Sequence, residues 1–202
     1  MHRSLPRVTR LQLLLAAAIV LASAATAHAT VIHLRAALSW TGEAAPTSLA
    51  TGNVEVTIDD VANTMQIAAV FGSGTPGFVS LNGTTTACHI HAPTAVPLTG
   101  NASVATTTPF FAGFPIGVTS GEYNNTLDLT QSSSYNASFI TANGGTTSSA
   151  EAALISYITL GNSYFNVHST TNPGGEIRGF LQVFDPTPTT RSTWTRVKEI
   201  YK

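Results

Sequence analysis

Cys88-His89-Ile90-His91 places two imidazoles two residues apart. In an extended strand successive side chains alternate faces. His89 and His91 then share one face, with Cys88 and Ile90 on the other. Their Cα atoms stand about 6.6 Å apart, from the strand rise, which suits two ligands on one metal ion. A second segment, Tyr164-Phe165-Asn166-Val167-His168, reads the same way: Phe165 and Val167 face a core, and Tyr164, Asn166 and His168 face away. On the next run Ile177, Leu181 and Val183 are expected to face the core, so Glu176 and Arg178 are expected to face away too. If the strands are neighbours, His89, His91 and His168 form a cluster able to hold copper, or less readily zinc. A closed site needs a fourth ligand, for which His33, Glu176 and His28 are the candidates. An open site would take water or a small anion, with Arg178 as the nearby cation. The plainer alternative is that these histidines hydrogen-bond to backbone or solvent, and that Arg178 pairs with Glu176 or another acid.

Other chemistries find less support. No Gly-x-Ser-x-Gly elbow is present, and no phosphate-cradling glycine loop precedes a helix. Alternation points Cys88 inward, away from His168, against a nucleophilic pair. The spacing of Glu122, Asp128 and Glu176 suggests no carboxylate pair. No catalytic residue is assigned.

The elements that must position the histidines read as strands. Ile32, Leu34, Ala36, Leu38 and Trp40 share one face of the first run, with His33 and Arg35 on the other. Val54, Val56 and Ile58 alternate, Asp59-Asp60 and Asn63 turn, and Met65, Ile67, Ala69 and Phe71 alternate again, which is an antiparallel hairpin. Further strands are expected over 78–81, 85–91, 126–130, 163–169 and 176–184. Residues 93–115, rich in Thr, Pro and Gly, read as a long loop or short edge strands. Ser148-Ser149-Ala150-Glu151 reads as a capping box opening one short helix to Ile158, with Ala152, Ile155 and Ile158 at helical spacing. The fold expected is mainly β: an antiparallel β-sandwich or Greek-key barrel with one short helix.

Three arginines, an apolar run Leu11 to Ala22 and Ala27-His28-Ala29 read as a secretory signal over 1–29. Cleavage fits after Ala29 or after Ala27; the latter would expose His28 as an N-terminal copper chelate. The run is short for a membrane span. The product is expected to be secreted and extracellular, or periplasmic in a bacterium. One domain follows over 30–185, then a basic, loosely attached tail over 186–202. The domain carries two cations, Arg35 and Arg178, against nine acids, a net of −7, while the tail is +3. A body without lysine is a poor partner for nucleic acid. The single cysteine, Cys88, cannot close an internal disulfide. It is either a buried hydrophobe or a reactive thiol. Sequons at Asn82, Asn101, Asn124 and Asn136 mark candidate N-glycosylation sites on surface loops.

Three blocks carry a resemblance: Ala37-Leu38-Ser39 with Gly42-Glu43, Pro46 and Ala50-Thr51-Gly52; Cys88-His89-Ile90-His91-Ala92-Pro93; and Tyr164 to Ser169 leading into Pro173-Gly174-Gly175-Glu176-Ile177-Arg178-Gly179. Their order and spacing resemble the CHRD domain, the module named after chordin, over about residues 34 to 184. Ala92 stands where the family usually has Gly. The resemblance implies a secreted β-sandwich module with no generally accepted enzymatic activity. The partner expected for such a module is an extracellular protein or glycan of unknown identity. The arrangement of His-x-His, the later Val-His and Arg is also similar to the metal-site parts of copper/zinc superoxide dismutases, by analogy only. The dismutase disulfide and a second metal set are missing, which argues against a complete dismutase. The function expected is therefore a non-enzymatic extracellular binding or structural module; the alternative is a three-histidine copper protein, redox-active in a superoxide dismutase-like way.

Overall fold

A computed structural model of the chain describes residues 30–43 and 47–186. The expected signal peptide, including His28, and the tail beyond Pro186 lie outside those residues.

Among the described residues, eight strands make one antiparallel sheet: β1 (Val31–Ser39), β2 (Thr51–Asp59), β3 (Thr64–Phe71), β4 (Thr85–His91), β5 (Gly121–Asp128), β6 (Tyr164–Ser169), β7 (Ile177–Phe180) and β8 (Gln182–Val183). Two helices, α1 (Ala137–Ala142) and α2 (Thr147–Thr159), lie between β5 and β6. The strand order is β4-β6-β7-β1-β2-β3-β5, and β8 pairs with β1. Alternation supplies the core: Leu34, Ala36 and Leu38 from β1, Val54, Val56 and Ile58 from β2, and Met65, Ile67, Ala69 and Phe71 from β3 are all buried. The expected β2–β3 hairpin is present, in register from Gly52 opposite Phe71 to Asp59 opposite Thr64.

The sheet curls, so that its two ends share one core. The Phe111 ring lies 6.0 Å from Tyr123 on β5, the last strand in the order, and 6.2 Å from Phe165 on β6, next to the first. Phe111 belongs to the long connection between β4 and β5, which reads as a loop, as expected, and also covers the free edge of β4. Ile90 O accepts from Ala105 N, Pro109 O from Cys88 N and Val118 O from Thr85 N. Covering the edge satisfies backbone groups that would otherwise template pairing with another chain.

Several local expectations change. Residues 78–81 are not a strand; only Leu81 of that stretch is buried, and Val79 stays half exposed beside Thr51. The strand expected over 126–130 is β5, which begins earlier, because its outward Asn-rich face hid the alternation. The strand expected over 176–184 is two, β7 and β8, broken at Leu181. Two helices replace one. The capping box of α2 is Thr146 with Ser149, not Ser148 with Glu151. The buried stripe is Ala150, Leu154 and Ile158, four residues apart, while Ala152 is exposed. Glu151, on the buried side, has its carboxyl pushed up by burial and by the nearby Asp128 and Asp60 carboxylates.

Candidate metal centre

Cys88 and Ile90 point into the core, as expected, and Cys88 is a fully buried free thiol. His89 and His91 point to the opposite face. β4 and β6 are neighbours, with His89 opposite Asn166, His91 opposite Tyr164 and Ala87 opposite His168. One strand further, Asn166 faces Arg178 and Tyr164 faces Phe180. The outer face of β4, β6 and β7 thus carries a lattice of polar and aromatic side chains.

This face is not open to solvent. Every residue of β6 is buried. His89, His91 and His168 are 6%, 9% and 8% exposed, so the face turned away from the core is itself covered. The cover comes from loops that also orient the rings. His89 Nδ1 contacts Pro109 O at 3.2 Å, His91 Nδ1 contacts Ala102 O at 2.8 Å, and His168 Nδ1 contacts Pro173 O at 2.9 Å. A carbonyl can only accept, so each Nδ1 carries the proton and donates it. Each Nε2 is then a bare lone pair.

Those lone pairs converge. The three ligand atoms lie within 4.8 Å of one another. His89 Nε2 and His168 Nε2 are 2.9 Å apart, and His91 Nε2 is buried without a partner. Two facing lone pairs at that distance repel unless a cation lies among them. A proton is a poor one here. Burial, then the charges of His91 and His168, lower His89 to about 3. Burial lowers His91 to about 4, against a bond to Ala102 that raises it, and burial also lowers His168. Tetrahedral nitrogens about 2.0–2.1 Å from a metal stand roughly 3.3 Å apart, so modest ring movements would seat an ion. Backbone acceptors behind each ring are the usual outer support of metal-bound imidazole. The donor set therefore fits a metal, and three ligands leave a fourth position open.

The other expected participants go elsewhere. His33 is on β1, half-buried, 3.2 Å from Thr57 Oγ1. It lies six residues before Ser39, the residue opposite Arg178, hence about 20 Å along the strand from the row of the cluster. Glu176 is fully buried rather than outward, and its oxygens are occupied by the Ser48 hydroxyl at 2.8 Å, the Asn82 N–H at 2.6 Å and the Ser169 hydroxyl. Burial raises its carboxyl, but those donors win and hold it below the usual range. It ties three loops together. Arg178 pairs not with Glu176 but with Glu43, Nε to Oε1 at 3.5 Å, and donates to Asn101 Oδ1 at 2.7 Å and Gly100 O at 3.2 Å. It also lies 4.6 Å over the Tyr164 ring, which stacks on His91 at 4.6 Å and 7°.

Tyr164 and Asn166 therefore border the histidines, and Glu43 lies beyond them on Arg178. Sequence reading placed Asn166 and Tyr164 on the right face without a role, and missed that Glu43 reaches Arg178. The available signal was the Gly42-Glu43 pair, since Gly42 packs directly against the Arg178 guanidinium. Of the sequons, Asn82, Asn101 and Asn124 are exposed, while Asn136 is half-buried and caps α1 through Ser138 N.

No curated protein and no solved structure matches the chain. The model of one protein family, the CHRD domain, matches residues 34–181, a span containing all three histidines, Glu43, Asn166 and Arg178. With most of its length in that match, the chain belongs to the CHRD domain family.

Proposed function

We infer that this CHRD-family protein is a secreted binding module and that what it binds is a single metal ion, held by Nε2 of His89, His91 and His168. The observation that carries the reading is the convergence of three Nε2 atoms, two of them 2.9 Å apart, behind Nδ1 atoms anchored on backbone carbonyls. Copper is the favoured ion. Imidazole ligands suit copper and zinc alike, but divalent copper binds a given nitrogen site more tightly than zinc. Secretion is supported by the arginine-led apolar leader and the Ala27-His28-Ala29 cleavage pattern. Among the described residues no helix is long and apolar enough to cross a membrane.

The test is elemental analysis of the mature protein after loading with copper or zinc and removal of excess metal. One equivalent is expected in the wild type and none in the triple variant His89→Ala, His91→Ala, His168→Ala. A folded wild type with no bound metal near neutral pH would overturn the reading and return the histidines to a structural role.

A further inference from the structure

Away from the histidines, the outer face of β1, β2, β3 and β5 carries a trough floored by short side chains. In one cross-strand row Glu55 on β2 is opposite Ala68 on β3; in the next, Asn53 is opposite Val70, and Val70 is opposite Glu122 on β5. One hollow lies over Ala68 and Val70 between the two glutamates, a second lies beside Ala37 and Phe184, and the two meet at Asn53. Ala68 and Val70 are half-buried and make a small apolar floor, while Glu55 and Glu122 are exposed.

Both carboxylates are left without a counter-charge. The domain carries two cations, Arg35 and Arg178. Arg178 is buried with Glu43, and the Arg35 guanidinium lies 4.8 Å over the Phe184 ring instead of on Glu55, its cross-strand neighbour. Among the described residues neither Glu55 nor Glu122 makes an ion pair.

The trough begins where the described chain ends. Gln182 on β8 is opposite Arg35, and Phe184 N donates to His33 O at 2.9 Å. The Phe184 ring lies against His33 and Arg35, so the chain leaves the sheet on this same face. The sixteen residues 187–202 follow, and they hold Arg191, Trp194, Arg196, Lys198 and Lys202. From β8 to β5 is four strand spacings, about 19 Å. The chain from Pro186 to Trp194 can span about 26 Å, and to residue 202 about 50 Å, so β3 and β5 are within reach. The order matches as well: Arg191 and Arg196 flank Trp194 as Glu55 and Glu122 flank Ala68 and Val70.

We propose that this trough is the docking site of the chain's own C-terminal segment, residues 187–202, with Trp194 on Ala68 and Val70 and with Arg191 and Arg196 on Glu55 and Glu122. Exposed ion pairs are individually weak, but a tethered segment meets its site at high effective concentration. The contact needs no metal.

Trp194 reports the contact once Trp40, the other tryptophan, is changed to Phe. A glycan on Asn124 would enter the same trough, so the protein is produced in a bacterial host. At low salt, acrylamide should quench Trp194 more slowly than it quenches the synthetic peptide 187–202, and the emission should shift to shorter wavelength. In 1 M salt, where the screening length falls to about 3 Å, both differences should be lost. They should also be lost in the double variant Glu55→Gln, Glu122→Gln, and in the double variant Arg191→Gln, Arg196→Gln, which leaves the domain untouched if the first does not fold. Quenching at low salt as fast as in the peptide overturns the proposal. Protection that survives both double variants places the segment elsewhere and overturns it too. Protection that disappears on dilution makes the occupant a second copy of the chain and overturns the intramolecular contact.

Discussion

At the scale of single residues, the site is governed by where protons cannot be. Three imidazoles donate from Nδ1 to carbonyls, and burial withholds the second proton from Nε2. An ordinary histidine site would release its metal as pH falls through about 6.5. Here protons compete weakly until the pH nears the lowered values of about 3 for His89 and about 4 for His91. Copper affinity should therefore stay flat from pH 7 to about 5 and fall steeply near 4, as measured by competition with a chelator at each pH. The metal-free protein follows the same shifts. The unfolded chain takes up protons on His89 and His91 near pH 6.5, and the folded chain only at about 3 and about 4, so the unfolded state binds more protons in between. Stability is fully present above about 6.5 and lost as pH falls toward 4, which chemical denaturation at a series of pH values would show. Glu43 is the second residue with a sharp expectation. Its side chain and that of Arg178 are 8% and 7% exposed. Glu43→Gln leaves the guanidinium buried without its counter-charge, which should cost about 2 kcal/mol in denaturant unfolding. Burial raises the Glu43 carboxyl more than Arg178 lowers it, so the pair is weaker than its depth suggests.

At the scale of elements, the site depends on close approach between strands and on what covers them. β7 joins β1 through Ser39 opposite Arg178, and one residue on, a Cβ on Gly179 would meet the Ala37 carbonyl and sit 2.8 Å from Ala36 Cβ. Gly179→Ala should push the two strands apart, at about 2–3 kcal/mol, and loosen Arg178 with them. Unfolding curves would read the stability, and loss of copper affinity would read the site. The helix layer offers a control remote from the histidines. Thr146 accepts from Ser149 N at 3.1 Å at the start of α2, so Thr146→Ala should cost about 1 kcal/mol and leave copper binding unchanged. The loop between β4 and β5 does two jobs with one set of bonds. It pairs with the edge of β4 and supplies Ala102 O and Pro109 O to the rings.

At the scale of the whole molecule, a metal bound by the three histidines would couple to the fold. His89 and His91 lie on β4, and His168 on β6, whose partner β7 leads into β1. An ion bound only by the folded chain stabilises it by about 4 kcal/mol when free metal exceeds the dissociation constant a thousandfold. Removing copper with a chelator should lower Tm by several degrees, and the triple histidine variant should show no such shift. With one cysteine, the chain has no internal disulfide to lend that stability, so packing and any bound metal must supply it.

Much of this was legible in residue order. Two-residue alternation put His89 and His91 on one face with Cys88 inward, put His168 and Asn166 on the face away from the core, and marked the β2–β3 hairpin, because strand geometry is a local property. Charge balance and the CHRD resemblance were likewise readable along the chain. Alternation could name the face but not what lies over it. The burial of the histidines, the distance of His33, the sealing of Glu176 among Ser48, Asn82 and Ser169, and the choice of Glu43 as partner of Arg178 were decided by tertiary structure. Each depends on segments far apart in sequence meeting in one register: Glu43, just past the end of β1, with Arg178 on β7, and His89 with His168 across β4 and β6. Periodicity within a strand carries no information about which strand lies beside it, or which loop closes over it.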